Sequence, residues 1–381
     1  MDFELSPEQH MMRKMVRDVA EKELGPLARE IDEKGDFPWE AIRILGGLGL
    51  MGLTVPEEWG GSGADTISYA ITIEEISRVS GSVGITVAAH NSLGIYPLYR
   101  FGNDEQKRHF LPSLAAGQGL AAFGLTEPDA GSDAGAIKTN AVLDGDHWVI
   151  NGQKVFITSG SIADVVVITA VTDRTAGTRG ISNFIVEKGT PGFRVGRDED
   201  KMGLKGSVTS ELFFEDCRVS RGNLLGQPGE GYKQFLTALD GGRISIGAMA
   251  VGLAQAAFEA AAKYAKQRVQ FGQPIASFQA IQWMLADMAT EIEAARLMIY
   301  RAAWLKDKGE RYTKQAAMAK LFASEAAERA CFKAIQIHGG YGYMREYDVE
   351  RFYRDNRLTA IGEGTSEIQR LVIARHVLSE F

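Results

Sequence analysis

Asp164-Val-Val-Val-Ile-Thr-Ala-Val171 decides how this chain is read. It is a β-branched run, and its centre from Val165 to Ile168 is far too short to span a bilayer, so it reads as a strand. Working outward, residues 147–150, 155–158, 183–187 and 210–214 share its character and are punctuated by glycine, asparagine and aspartate. The chain from about residue 121 therefore reads as an all-β unit, which ends near Pro228 where the period changes.

On both sides the period is helical. Upstream, Ser6 as N-cap, Pro7 at the first helical position and Gln9 closing a capping box start a helix with an apolar stripe of Met12, Met15, Val16 and Val19. The stripe reads as core, with a partner-docking face as the alternative. Downstream, alanine-rich stretches at about 231–266, 276–307, 313–337 and 366–379, joined by short loops, imply a bundle. Helices, then strands, then helices argue for an α+β chain of separate units and against alternating βα repeats.

The 381 residues suffice for two or three domains. With 45% hydrophobic and 24% charged residues the composition is that of a soluble globular protein. The 42 basic against 49 acidic residues leave a net charge of -7 and no basic run, which argues against nucleic acid or an anionic membrane surface as partner. Cys217 and Cys331 stand far apart without metal-ligand spacing, so neither a disulfide framework nor a metal site is expected. The acidic start, Met1-Asp-Phe-Glu-Leu-Ser6, lacks the basic flank and apolar core of a signal peptide. A cytoplasmic location is expected, or the mitochondrial matrix for a processed eukaryotic protein.

Two glycine-rich stretches suggest phosphate loops but lack the context. Gly47-Leu-Gly-Leu-Met-Gly52 satisfies GxGxxG, yet it follows a helical segment and runs into Thr54-Val-Pro56, so it reads as a helix end and turn. Trp59-Gly-Gly-Ser-Gly63 has no Lys-Ser or Lys-Thr pair after it and reads as a loop or tight turn.

The chemistry is expected in Ile361-Gly-Glu-Gly-Thr-Ser-Glu-Ile-Gln-Arg370. Glycine on both sides of Glu363 permits a tight turn and a close backbone approach to a ligand, and Ser366 with Gln369 has the pattern of a capping box for a closing helix. A carboxylate there is either a base beside free amides or a solvated acid at a helix start.

This decapeptide resembles the catalytic segment of the acyl-CoA dehydrogenases. Four further stretches resemble segments of the same family, in its order: Phe123-Gly-Leu-Thr-Glu-Pro-Asp-Ala-Gly-Ser-Asp133, Lys154-Val-Phe-Ile-Thr-Ser-Gly160, Arg268-Val-Gln-Phe-Gly272 and Gln336-Ile-His-Gly-Gly-Tyr-Gly342. The resemblance implies an N-terminal helical domain over 1–120, a β-barrel-like domain over 121–229 and a C-terminal four-helix bundle over 230–381. It also implies FAD, an acyl-CoA substrate of short or medium chain oxidised to the trans-2-enoyl-CoA in fatty acid β-oxidation, an electron-transfer flavoprotein as acceptor, and a homotetramer built as a dimer of dimers. An acyl-CoA oxidase or flavin monooxygenase on the same fold, and a non-catalytic acyl-CoA-binding scaffold, are the alternatives.

Residue by residue, the resemblance makes Glu363 the base for the α proton. Its backbone amide and a ribityl hydroxyl of the flavin hold the thioester oxygen, Gly364 lies against the substrate, and the β hydride passes to flavin N5. Phe123, Leu125, Thr126 and Ser132 serve the flavin ring edge and pyrophosphate, and Ser132 also lies beside the thioester. Phe156 covers the flavin face and Thr158 donates toward N5, two positions that strand alternation keeps on one face. Arg268, Phe271, Gln279, Gln336 and Gly340 reach the flavin of a neighbouring subunit, and Thr365 with Glu367 completes the set at a helix N-terminus. Asp240 and Arg243 match a pair that contacts CoA, with a surface ion pair as the alternative, and Arg375 matches a further substrate contact. The chain departs from the pattern at Phe156, often tryptophan, at Glu367, often glutamine, and at Gly362, often aromatic. Gly242 occupies the position where one branch of the family carries its base, which favours Glu363 here.

Overall fold

The computed structural model describes residues 4–381; residues 1–3, part of the acidic start, lie outside the described residues. The first unit is helical: α1 (Pro7–Val19), α2 (Gly25–Lys34), α3 (Trp39–Gly47), α4 (Thr66–Val79), α5 (Gly81–Ala89), α6 (Tyr96–Phe101) and α7 (Asp104–Ala115). Its start follows local chemistry. Ser6 Oγ accepts from the Gln9 amide at 3.2 Å while Gln9 Oε1 accepts from the Ser6 amide at 3.0 Å, the reciprocal cap expected from the sequence. GxGxxG is a helix end and turn: α3 finishes at Gly47, and Gly49 turns the chain at a φ of 73°.

The middle unit contains β1 (Ala121–Gly124), β2 (Asn140–Asp144), β3 (His147–Thr158), β4 (Val165–Val171), β5 (Ile181–Glu187), β6 (Phe193–Asp198), β7 (Thr209–Ser220) and β8 (Leu224–Leu225). They form one sheet in the order β6-β7-β3-β2-β4-β5-β8, with β1 added parallel to β4. The decisive stretch is β4, and its unbroken apolarity has a cause. Val166, Ile168 and Ala170 pack inside the sheet unit with Trp148, Ile150, Phe184 and Leu212, whereas Val165 and Val167 pack toward the helices with Ile95, Leu98, Leu111 and Phe235. Both faces are covered, so alternation of polar and apolar residues is lost. Expectation had two strands at 147–150 and 155–158; they are parts of the single β3, which carries register shifts against β7 between Ile150 and Gly152 and between Lys154 and Ile157.

The last unit is α8 (Gly231–Gln267), the β9–β10 hairpin (Val269–Gln270, Gln273–Pro274), α9 (Gln279–Asp307), α10 (Thr313–His338), α11 (Val349–Asn356) and α12 (Ser366–Leu378). Among the described residues α8 alone is long and apolar enough to cross a membrane, but 78% of its apolar window is buried inside the protein, so the core accounts for its composition. One core joins both helical units: Ile73 and Ile76 of α4 lie with Met249 and Leu253 of α8, Ile292 and Ile299 of α9, and Ala319, Ala323 and Ala327 of α10. Alanine on the facing surfaces lets α8, α9 and α10 approach closely. The turn carrying Glu363 therefore sits on packed helices and not on a mobile arm.

Candidate active site

The turn between Ala360 and α12 is unusual in its backbone. Glu363 has a φ of 52° and Gly364 a φ of 92°, two successive left-handed residues of which only glycine is comfortable there. The expected capping box at Ser366 and Gln369 is replaced. Thr365 is the N-cap, its Oγ1 accepting from the Ile368 amide at 3.3 Å, and Gln369 turns back toward the turn instead. Gln369 Nε2 donates to the Gly364 carbonyl at 2.8 Å and the Glu363 carbonyl at 3.3 Å, which ties the turn to α12.

Sequence reasoning missed the second group on that carbonyl. Lys320, fully buried in the first half of α10, donates from Nζ to the Gly364 oxygen at 2.8 Å. The signal was present in its spacing: Ala316, Ala323 and Ala327 share its buried stripe, where a lysine has no place without an acceptor.

The Glu363 side chain points into the same region. Oε2 is buried without a hydrogen-bond partner. Burial pushes the carboxyl up to about 7, opposed by the charges of Lys320 and Arg243. Burial likewise lowers Lys320 to about 8, opposed by Glu363. The site thus holds a carboxyl raised toward neutrality with one oxygen free of hydrogen bonds, a state suited to a general base.

Asp240 and Arg243 of α8 are paired, but not at the surface. Arg243 is 4% exposed, Asp240 also accepts from Thr313 Oγ1 at 2.6 Å, and Arg243 Nε is buried and unpartnered. The surface ion-pair reading is thereby corrected, since three residues of spacing on α8 place both groups against α10 and not in solvent. Gly364 lies in the Glu363 turn, whereas Arg375 is exposed in the last turn of α12.

The flavin candidates fall into two further groups. Leu125 and Thr126 follow β1 and lie against β3: the Val155 amide donates to the Thr126 carbonyl at 2.9 Å, and Lys154 Nζ donates to the Leu125 carbonyl at 3.1 Å. Lys154 is fully buried and meets Glu127 at 2.8 Å, and Glu127 also accepts from the amides of Lys138 and Thr139. Burial works against the Glu127 charge, but Lys154 and these donors outweigh it and hold the carboxyl below its ordinary value. Past this anchored pair β3 presents Phe156, 65% exposed at a φ of 59°, and the half-buried Thr158 on the side away from buried Ile157. Ser132 is exposed in the bend that follows β1, while the Phe123 side chain is packed into the core, leaving only its backbone for a ligand.

Arg268 and Gly340 line one cleft of about 550 Å3 with Tyr264, Gln270, His338 and Tyr341, and the Arg268 guanidinium stands 5.6 Å from the Tyr341 ring centre. Phe271 beside it is 93% exposed at a φ of 52°, and Gln279 and Gln336 are exposed on α9 and α10. Thr365 and exposed Glu367 sit at the start of α12. Two aromatic rings held outward in strained backbone, and a polar loop pinned from below by a buried ion pair, fit the needs of a flat dinucleotide cofactor.

Helical, sheet and helical units around a glutamate with a buried carboxyl oxygen, and two aromatic rings held outward, are the setting of a flavin-dependent oxidoreductase. Family models for the N-terminal, middle and C-terminal domains of acyl-CoA dehydrogenases match residues 6–118, 122–217 and 229–378, and the chain belongs to that family. It is an FAD-dependent enzyme. It is similar to a probable acyl-CoA dehydrogenase of Bacillus subtilis, 58% identical over 99% of this chain and 100% of the relative. Among solved structures, butyryl-CoA dehydrogenase from Megasphaera elsdenii matches with a TM-score of 0.97 at 46% identity, over 99% of this chain and 100% of that one. A structure described with the electron transferring flavoprotein of Acidaminococcus fermentans matches with a TM-score of 0.98 at 49% identity, over 99% and 100%.

Proposed function

We propose that the protein oxidises a short-chain acyl-CoA thioester to the trans-2-enoyl-CoA, with Glu363 as the base, and passes the electrons to an electron-transfer flavoprotein. The observation that carries the reading is Glu363 Oε2, buried and unpartnered in a turn held by two side-chain donors. The similarity to butyryl-CoA dehydrogenase supports the short chain, and the structure described with an electron transferring flavoprotein supports the acceptor. The bacterial relative supports a cytoplasmic location.

The α proton of a thioester is weakly acidic, so its removal needs a base held at the carbon and a donor where negative charge develops on oxygen. Glu363 Oε2 takes the proton, and the Glu363 backbone amide is the donor this chain brings to the oxygen. Asp240 and Arg243 hold the CoA arm. Leu125, Thr126, Phe156 and Thr158 hold FAD, which when bound supplies the acceptor for the β hydrogen. Arg268, Phe271, Gln279, Gln336 and Gly340 serve the flavin of a second subunit in a homotetramer, which gives the exposed Phe271 ring a partner.

An anaerobic titration with butyryl-, octanoyl- and isobutyryl-CoA, followed by flavin absorbance beside Glu363→Gln, tests the reading. Bleaching of the wild-type flavin by one thioester, with the variant binding it unreduced, supports the assignment. A flavin that none of the three reduces overturns it.

A further inference from the structure

We propose that Lys320 is a positioning residue for Glu363: from the first half of α10 its ammonium holds the Gly364 carbonyl and faces the Glu363 carboxyl, fixing the turn and favouring the ionised form of the base. The inference rests on Glu363 being the base and adds the group that keeps it usable.

Geometry gives the first half. A non-glycine residue at positive φ is strained and persists only where its surroundings hold it. Two donors do so here, Lys320 Nζ and Gln369 Nε2, both at 2.8 Å from the same Gly364 oxygen. They approach from different helices, α10 and α12, so the carbonyl is fixed from two directions and the Glu363 peptide next to it is fixed with it. A buried lysine ordinarily answers a carboxylate in a direct ion pair, as Lys154 does with Glu127. Lys320 instead spends its hydrogen bond on the loop backbone.

Charge gives the second half. The charged and titratable groups facing Glu363 are Lys320 from α10, Arg243 from α8 and the buried Tyr69 phenol from α4; Glu367 adds its charge to Lys320 from α12. Arg243 already answers Asp240. Tyr69 is neutral in the working range, because burial drives its phenol far above its ordinary value. Lys320 is therefore the cation not committed to another carboxylate, and it also donates to the backbone of the turn.

The test is a pH series of kcat and KM for butyryl-CoA on the FAD-loaded holoenzyme, comparing wild type with Lys320→Met, Lys320→Gln and Lys320→Arg. Methionine removes charge and donor with similar volume, glutamine keeps a donor without charge, and arginine keeps both. For methionine and glutamine the acid limb of kcat is expected to move up by about one pH unit, with kcat falling roughly fivefold at pH 7 and roughly tenfold well below it. KM should stay within about twofold and flavin content should be unchanged. Arginine should retain the wild-type limb. An unmoved limb in folded, flavin-loaded Lys320→Met overturns the inference. If that variant is insoluble, an unmoved limb in Lys320→Gln does the same. Wild type that no thioester reduces overturns the base assignment and this inference together, whereas an unmoved limb with active wild type overturns only the role of Lys320.

Discussion

Gly242 on α8 and Glu363 in the turn before α12 occupy one seat: a Cβ added to Gly242 would lie 2.7 Å from Glu363 Cδ and collide with Oε2. The carboxyl thus rests on bare helix backbone. A side chain at 242 and a carboxylate at 363 exclude each other, which gives a physical reason for a base to sit at one of these positions and not at both.

Gly242→Ala should therefore leave the fold intact, because the group it meets is the end of a flexible side chain, yet displace the reacting oxygen. A misplacement of this kind costs on the order of 10²-fold in kcat. The measurement is kcat with butyryl-CoA beside flavin content and circular dichroism. Full activity in Gly242→Ala would show that the carboxyl does not work from this seat.

Glu363 must be ionised to take a proton, and burial raises it to about 7, so kcat should rise with pH through the neutral range. Glu363→Gln should lose roughly 10²–10⁴-fold in kcat while still binding thioester. Stability carries the opposite sign. A carboxyl raised on folding gives stability that is present below its ordinary value and is lost as pH rises through about 7. Glutamine removes that loss, so the gain in Tm of Glu363→Gln over wild type should be larger at about pH 8 than at about pH 5. A difference independent of pH would mean the carboxyl titrates as an exposed one.

Lys154 and Glu127 couple stability to cofactor binding. Glu127→Ala leaves a buried ammonium without its partner, which costs about 3–5 kcal/mol, and it releases the amides of Lys138 and Thr139. The loop holding Leu125 and Thr126 loses its anchor with it. Urea denaturation and FAD titration should fail together in Glu127→Ala. The double variant Lys154→Met, Glu127→Leu should recover much of the stability but not the affinity, since Lys154 also holds the Leu125 carbonyl. Recovery of both would reduce the pair to a stability element.

Periodicity made the order of units legible, and the long helices α8, α9 and α10 begin and end within a few residues of where the alanine-rich stretches do. The first capping box was legible because its partners lie three residues apart. Elements whose signal is not local were less so. The short β1 is a strand because β4 pairs with it, and α11 packs against α10 through only eight residues, in which Val349 and Phe352 are the buried apolar pair. Glu363 stood out through its flanking glycines. Lys320, from a helix far upstream, meets the turn only after packing, and Gln369 serves carbonyls in a turn where glycine announces the positive φ of residue 364 but nothing announces that of Glu363. Asp240 and Arg243 were visible as a pair, but their burial was a property of α8 against α10.

Phe156 and Phe271 are both held outward at positive φ, 65% and 93% exposed, an arrangement that costs stability, and within the chain Phe271 gains only an edge-on contact with Phe278 at 6.0 Å between ring centres. If both rings serve flavin, truncation separates affinity from stability. Phe156→Ala should change the stability of the apoprotein by no more than about 0.5 kcal/mol, as at an ordinary surface site, while FAD affinity falls about tenfold through lost stacking. Phe271→Ala should weaken FAD too, but its effect should depend on protein concentration, because its ring reaches the flavin of another subunit. Flavin release measured across a dilution series distinguishes them: parallel curves for the two variants would place Phe271 on its own subunit's cofactor, and a steeper loss on dilution for Phe271→Ala would tie the ring to assembly.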